Sequence, residues 1–274
     1  MQFTTPVAIP RAPFTIAPCE QMLFVGSCFA DSIGSRAKQE KFRAVVNPYG
    51  VMYNPASILH TIQKLVTPVQ TAILTLGTNH VYILKETGEI VDNCQKRPQR
   101  LFEERELTVD ECADYLRQSV TLLRTLNPAV RVILTVSPIR YRKYGFHESQ
   151  LSKATLLLAV RKVISDFGTT LQNPLQYFPS YEIVLDELRD YRFYAPDMLH
   201  PSEQAVEYIW QRFGDTYFSP DTHEFLRQWK PLREALAHRP FNPDSPEYQA
   251  FLAKTRQQLQ ELKHRYPDLE LALT

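Results

Sequence analysis

Glycine is scarce in this chain: 8 residues of 274, against 20 prolines. Glycines this few mark places where the backbone needs positive φ or a close approach, so one standing directly after a strand is worth attention. An excess of one charge is also missing, with 31 Lys+Arg against 30 Asp+Glu and a formal net charge of +1. That balance argues against a nucleic-acid or anionic-membrane partner recruited by bulk charge. No apolar run approaches the ~20 residues that span a bilayer. The opening residues 1–18 lack the basic flank and the apolar stretch of ~7–15 residues that make a secretory signal. Cysteine is sparse and dispersed, at Cys19, Cys28, Cys94 and Cys112, with no C-x-x-C pair. Reduced thiols and a cytoplasmic location are the expectation. No histidines stand at metal-ligand spacing, so neither a metal site nor a cofactor is expected.

What is present is a 44% hydrophobic, 22% charged composition, the ordinary mix of a soluble globular protein. Short apolar runs alternate with helical periodicity. Gln21–Val25, Phe42–Val46, Ala72–Leu76 and Val130–Val136 read as strands, and Tyr181–Leu185 as a fifth. Val81–Leu84 and Glu89–Val91 flank Thr87-Gly88 as a hairpin. Helices are expected over Phe29–Lys41, from Asn54-Pro55 to Val66, over Thr108–Leu126, Leu151–Phe167 and Pro201–Phe213. This alternation predicts an α/β fold with a mostly parallel sheet, whose ligands gather beyond the carboxyl ends of the strands. After about Pro220 the pattern becomes purely helical. Residues 1–218 are therefore read as the main domain and 219–274 as a helical hairpin appendage, with a dimer seam or an active-site lid as other uses for it.

Two elements could carry chemistry. Gly26-Ser27 falls between the first strand and first helix, where a hydroxyl can face the crevice at the positive end of a helix; the same serine would also serve as an ordinary N-cap. Asp197-Met198-Leu199-His200 offers a general base with a carboxylate three residues earlier to orient it, or simply a polar surface turn. The G-x-S-x-G elbow is absent. Cys28 is a rival nucleophile in principle, but adjacent side chains diverge, and it reads as a small buried packing residue. Arg140 could meet an anionic substrate group, and Tyr191–Tyr194 could wall a pocket or pack in the core.

The string Gly26-Ser27-Cys28-Phe29-Ala30 resembles the signature of the GSCFA family, a branch of the SGNH (GDSL-like) hydrolases. The resemblance continues through Asn47-Pro48-Tyr49-Gly50, Tyr53-Asn54-Pro55, Leu76-Gly77-Thr78, Thr135–Pro138, Tyr177–Glu182 and Asp190–Tyr194. It implies a flavodoxin-like three-layer α/β/α fold and a Ser-His-Asp esterase, with Ser27 as nucleophile, His200 as base and Asp197 orienting it. The oxyanion donors it implies are the N–H groups of Ser27 and Gly50 and an Asn side chain. Asn79, in Gly77-Thr78-Asn79-His80, resembles the superfamily's G-x-N-D block with His80 replacing Asp. Asn93-Cys94 resembles a block of the family itself, with Gln95 replacing His. If the Ala72–Leu76 strand runs on into the hairpin, Asn93 returns to the site; if it stops at Leu76, Asn79 takes the role. The family string favours Asn93. The expected substrate is a small-molecule or saccharide ester carrying a short, acetyl-like acyl group. O-acyl transfer on the same triad, or a catalytically silent binding protein, are the alternatives.

Overall fold

The computed structural model describes residues 4–92, 97–168 and 174–271. Its strands are β1 (Gln21–Gly26), β2 (Arg43–Val46), β3 (Thr71–Leu76), β4 (His80–Leu84), β5 (Glu89–Val91), β6 (Phe102–Glu106), β7 (Arg131–Val136) and β8 (Leu175–Tyr177). Five of them form an entirely parallel sheet in the order β2-β1-β3-β7-β8, the flavodoxin-like order. The other three form an antiparallel sheet, β5-β4-β6.

The helices are α1 (Cys28–Gln39), α2 (Pro55–Gln63), α3 (Val109–Leu126), α4 (Phe146–Phe167), α5 (Ser180–Glu182), α6 (Glu203–Tyr217), α7 (Pro220–Ala237) and α8 (Pro246–Arg265). Side chains that satisfy orphan N–H groups start most of them: Ser27, Asn54, Ser202, Ser219 and Ser245, and Thr108 in a reciprocal capping box with Glu111. Strand side chains alternate between the faces. Leu23, Val25, Leu74, Leu76, Leu134 and Val136 pack under α2, α3 and α4, while Met22, Phe24, Ile73 and Ile133 pack under α1 and α6. The result is the expected three-layer α/β/α arrangement.

Two expectations are corrected. Tyr181–Leu185 is no strand: Pro179 lacks an N–H for the ladder, and the chain turns into α5 and a π-helical turn over Ile183–Glu187. The fifth strand lies just before it, as β8. Nor does β3 run on into the hairpin. It stops at Leu76, and β4 belongs to the second sheet.

Beyond Tyr217, α7 and α8 pack on each other through Phe225, Trp229, Leu232, Leu259, Leu262 and Tyr266, with Cys19 from the amino-terminal arm in the same cluster. Trp229 Nε1 donates to the Gln39 carbonyl at 2.8 Å, and Thr222 Oγ1 to that of Ile16 at 2.7 Å. These bonds tie the hairpin to the sheet-bearing part. Among the described residues, no helix is long and apolar enough to cross a membrane.

Candidate active site

β1 ends at Gly26 and α1 begins at Cys28, so Ser27 is the N-cap between them. Gly26 has φ +144°, and a Cβ there would lie 2.0 Å from the carbonyl oxygen of Thr75, its partner on β3; only glycine fits this close approach. Its N–H donates to Asn47 Oδ1 at 2.9 Å, and Asn47 Nδ2 in turn donates to Asp31 at 2.7 Å. Ser27 is 1% exposed. Its Oγ lies 3.4 Å from Thr75 Oγ1 and accepts from Phe29 N–H at 3.3 Å. The hydroxyl therefore rests at the positive end of α1, turned to Thr75.

Asp197 and His200 come together. His200 Nδ1 and Asp197 Oδ2 are 2.5 Å apart, and Asp197 Oδ1 accepts from the N–H groups of Leu199 and His200 at 2.9 and 3.0 Å. Those backbone donors, then the imidazole, hold the Asp197 carboxyl down at about 2. Met198, at φ +59°, closes the turn, and Arg140 braces it by donating from Nη1 to the Met198 carbonyl and from its backbone N–H to that of Leu199, both at 3.0 Å. Arg140 follows β7 closely, so the Asp197–His200 turn sits beyond the carboxyl end of β7. Ser27 sits beyond the same end of β1, two strands away across β3, a lateral distance of roughly 10 Å. Among the described residues, the hydrogen bonds of Ser27 Oγ go to Thr75 and Phe29, and none goes to His200.

The proposed oxyanion donors are engaged elsewhere. Ser27 N–H donates to the Thr75 carbonyl at 3.1 Å, and Gly50 N–H closes an exposed turn onto the Asn47 carbonyl at 2.9 Å. Asn79 lies in the loop after β3, buried, with Nδ2 donating to the Leu107 carbonyl at 2.8 Å and Oδ1 unpartnered. Asn93, Cys94 and Gln95 lie outside the described residues.

The GSCFA family matches residues 21–72 and 59–213, which span the whole sheet and both chemical elements. This chain belongs to the GSCFA family. Residues 229–272 match the C-terminal domain described for GSCFA domain proteins. No curated protein matches. Solved structures that resemble it include a carbohydrate esterase family 3 protein from Talaromyces cellulolyticus (13% identity, 76% of this chain and 98% of that one, TM-score 0.41). A protein from Lactobacillus plantarum has 14% identity over 74% and 100% of the two chains, with a TM-score of 0.48. A mutant acetyl-xylooligosaccharide esterase from Geobacillus has 13% identity over 74% and 96%, with a TM-score of 0.45. Likenesses of this size lend the GSCFA chain no chemistry.

Around Ser27 the GSCFA chain gathers residues of its family strings, Gly77 and Tyr53, together with Tyr141, which its sequence did not single out. Gly77 packs against Ser27, and Tyr53 Oη lies 3.6 Å from Cys28 Sγ. Burial, then the Cys28 contact, pushes the Tyr53 phenol up to about 12. Cys28 is thus half-buried with a polar partner, and not the buried packing residue expected. Tyr141 meets Tyr53 edge-on at 5.9 Å. The Tyr191–Tyr194 stretch is more open than a core: Tyr191 is exposed, and both tyrosine rings flank the Arg140 guanidinium. Asp197–His200 is not the only His–carboxylate pair, because His60 Nδ1 lies 2.6 Å from Asp92 Oδ1. A groove of about 910 Å³ between α1, α6 and α7 includes neither Ser27 nor His200 in its walls, and its Arg36 is already paired with Glu207 at 2.6 Å.

Proposed function

We propose that this protein is an SGNH-type serine esterase that removes a short, acetyl-like acyl group from an oxygen of a small molecule or saccharide. The observation that carries the reading is the Asp197–His200 pair, 2.5 Å apart and braced by two backbone N–H groups, beyond the carboxyl ends of the strands, where a serine also caps a helix directly after Gly26. Ser27 Oγ turns away from Thr75 and attacks the ester carbonyl while His200 Nε2 takes its proton. Asp197 holds the imidazole through Nδ1 and stabilises the imidazolium. His200 then returns the proton to the departing alcohol; a water molecule gives a proton to the same nitrogen as it adds to the acyl-serine carbonyl, and His200 passes that proton to Ser27 Oγ as the acid leaves.

The oxyanion falls to the Cys28 N–H at the start of α1, with an amide from Asn79 or Asn93; the next two N–H groups already donate to Ser27, Phe29's to Oγ and Ala30's to the carbonyl. Ser27 N–H and Gly50 N–H could join only by giving up the carbonyls of Thr75 and Asn47. Labelling with a fluorophosphonate probe tests the assignment. Ser27→Ala should fold and lose the label, whereas Cys28→Ala and His60→Ala should keep it. His200→Ala should cut esterase turnover by about 10⁶-fold. Label that persists in Ser27→Ala, or that follows Cys28, overturns the reading. Adding an alcohol acceptor to the same assay shows whether the acyl group goes to water or to the alcohol.

A further inference from the structure

Lys153, on α4, is 2% exposed. Its ammonium donates to the Gly77 carbonyl at 2.6 Å and otherwise faces the rings of Tyr141 and Tyr181, with centroids 5.8 and 5.9 Å away. The preceding residue, Ser152, is also buried. Its Oγ lies 3.0 Å from Thr78 Oγ1 and accepts Asn79 N–H at 3.0 Å. Two successive residues of one helix thus hold three successive residues of the loop that follows β3.

That loop lies against Ser27. A Cβ on Gly77 would stand 3.3 Å from Ser27 Cβ and 2.8 Å from the Tyr53 carbonyl oxygen. The N–H groups of Gly77 and Thr78 both donate to that same carbonyl, at 2.9 and 2.8 Å. Among the described residues no carboxylate pairs with Lys153, and an ammonium buried that way costs free energy that a methionine of similar length would not. Burial pulls the Lys153 amine down to about 7. The facing phenols of Tyr141 and Tyr181 are themselves pushed up by burial.

We propose that Lys153, with Ser152, is a positioning residue that holds the Gly77–Thr78–Asn79 loop against Ser27 and so sets the direction in which the serine hydroxyl meets the acyl carbon. This rests on the Ser27 esterase reading. Misplacement of a reacting group by ~1 Å can cost about 100-fold in rate, so a loop in direct contact with the nucleophile merits a fixed anchor.

The test is Lys153→Met, assayed on an aryl acetate and by amide hydrogen exchange. The expected result is a melting temperature equal to or above that of the unsubstituted protein, with kcat lower by roughly 10- to 100-fold and KM within about threefold. The Gly77 and Thr78 amides should exchange at least ~10-fold faster while Leu74, inside β3, keeps its protection. A purely structural lysine would give lower stability with kcat following the folded fraction, and that outcome overturns the proposal. So does unchanged kcat with unchanged exchange. If Lys153→Met does not fold, Ser152→Ala decides: unaltered kcat and unaltered Asn79 exchange in that variant overturn the proposal. If the unsubstituted protein takes no fluorophosphonate at Ser27, the esterase reading fails. The exchange data alone then judge the anchor, with unchanged protection at Gly77 and Thr78 rejecting it.

Discussion

Gly26 and Thr75 stand so close that a methyl group on the glycine would lie 2.0 Å from the threonine carbonyl oxygen and 2.5 Å from its hydroxyl. The same carbonyl accepts the Ser27 N–H, so the close pairing of β1 with its parallel neighbour β3 at Gly26 and Thr75 is what aims the serine. Gly26→Ala should therefore destabilise the protein by on the order of 3 kcal/mol or more, through the clash and through φ +144°. Chemical denaturation measures the first effect. Probe labelling at a temperature where the variant is still folded should show loss at Ser27 beyond the folded fraction.

Asn79 is bound twice to Leu107, through Nδ2 and through its own carbonyl, which accepts Leu107 N–H at 2.9 Å. Asn79→Ala should cost about 1–3 kcal/mol by leaving the buried Leu107 carbonyl without its donor. A fall in kcat of roughly 100- to 1,000-fold beyond that would assign Asn79 the oxyanion role. The same fall in Asn93→Ala, with Asn79→Ala near normal, would assign it to Asn93. Steady-state kinetics on the two variants separates the cases.

The Asp197 carboxyl is more acidic in the folded protein, about 2, than the ordinary 3.8 that it regains on unfolding. The unfolded chain therefore binds more protons between those values. The stabilisation is complete above about pH 4 and is lost as pH falls through about 2. Compared with Asp197→Asn, the unsubstituted protein should hold its full advantage in urea midpoint from neutral pH down to about pH 4, then lose it towards pH 2. An advantage that faded already near pH 6 would contradict this picture.

Trp229 is 1% exposed and carries the contact between α7 and the end of α1. Trp229→Ala should cost about 3–5 kcal/mol. Label at Ser27 should survive wherever the variant remains folded, because the hairpin is assigned no catalytic group. A folded Trp229→Ala that cannot be labelled would give the hairpin a part in the site.

Much of the fold was legible because parallel strands buried on both faces leave continuous apolar runs, as in Val130–Val136, and because glycine and asparagine punctuate their ends. β6 was not legible. Its sequence, Phe102–Glu106, buries only Phe102, so an edge strand facing water shows no apolar pattern. α4 starts at Phe146, five residues before the expected Leu151, because its first turn is polar and follows Gly145 at φ +83°. Lys153 lies inside the expected helix, where it passes for an ordinary charged residue. With Leu156, Val160 and Val163 it recurs at spacings of three and four, which places the lysine on the inward stripe. Spacing offered the Asp197–His200 pairing beside a plain polar turn, and the resemblance to the GSCFA family chose between them. The engagement of Ser27 N–H depends on the Thr75 carbonyl, brought from β3, which no local pattern displays, whereas Gly50 N–H is taken by its own Asn47–Gly50 turn.

Cys19 lies at the amino-terminal edge of the sheet, yet its covering comes from Phe225, Trp229, Leu262 and Leu269. Burial pushes its thiol up to about 11, so in the finished molecule it is neither reachable nor reactive. A chain still emerging from the ribosome has no such cover until α7, α8 and Leu269 have been made, whatever the state of the sheet. Modification of Cys19 by an alkylating reagent therefore separates molecules whose α7–α8 hairpin is seated from those in which it is unfinished or has come away, one thiol recording whether segments about 200 residues apart have met.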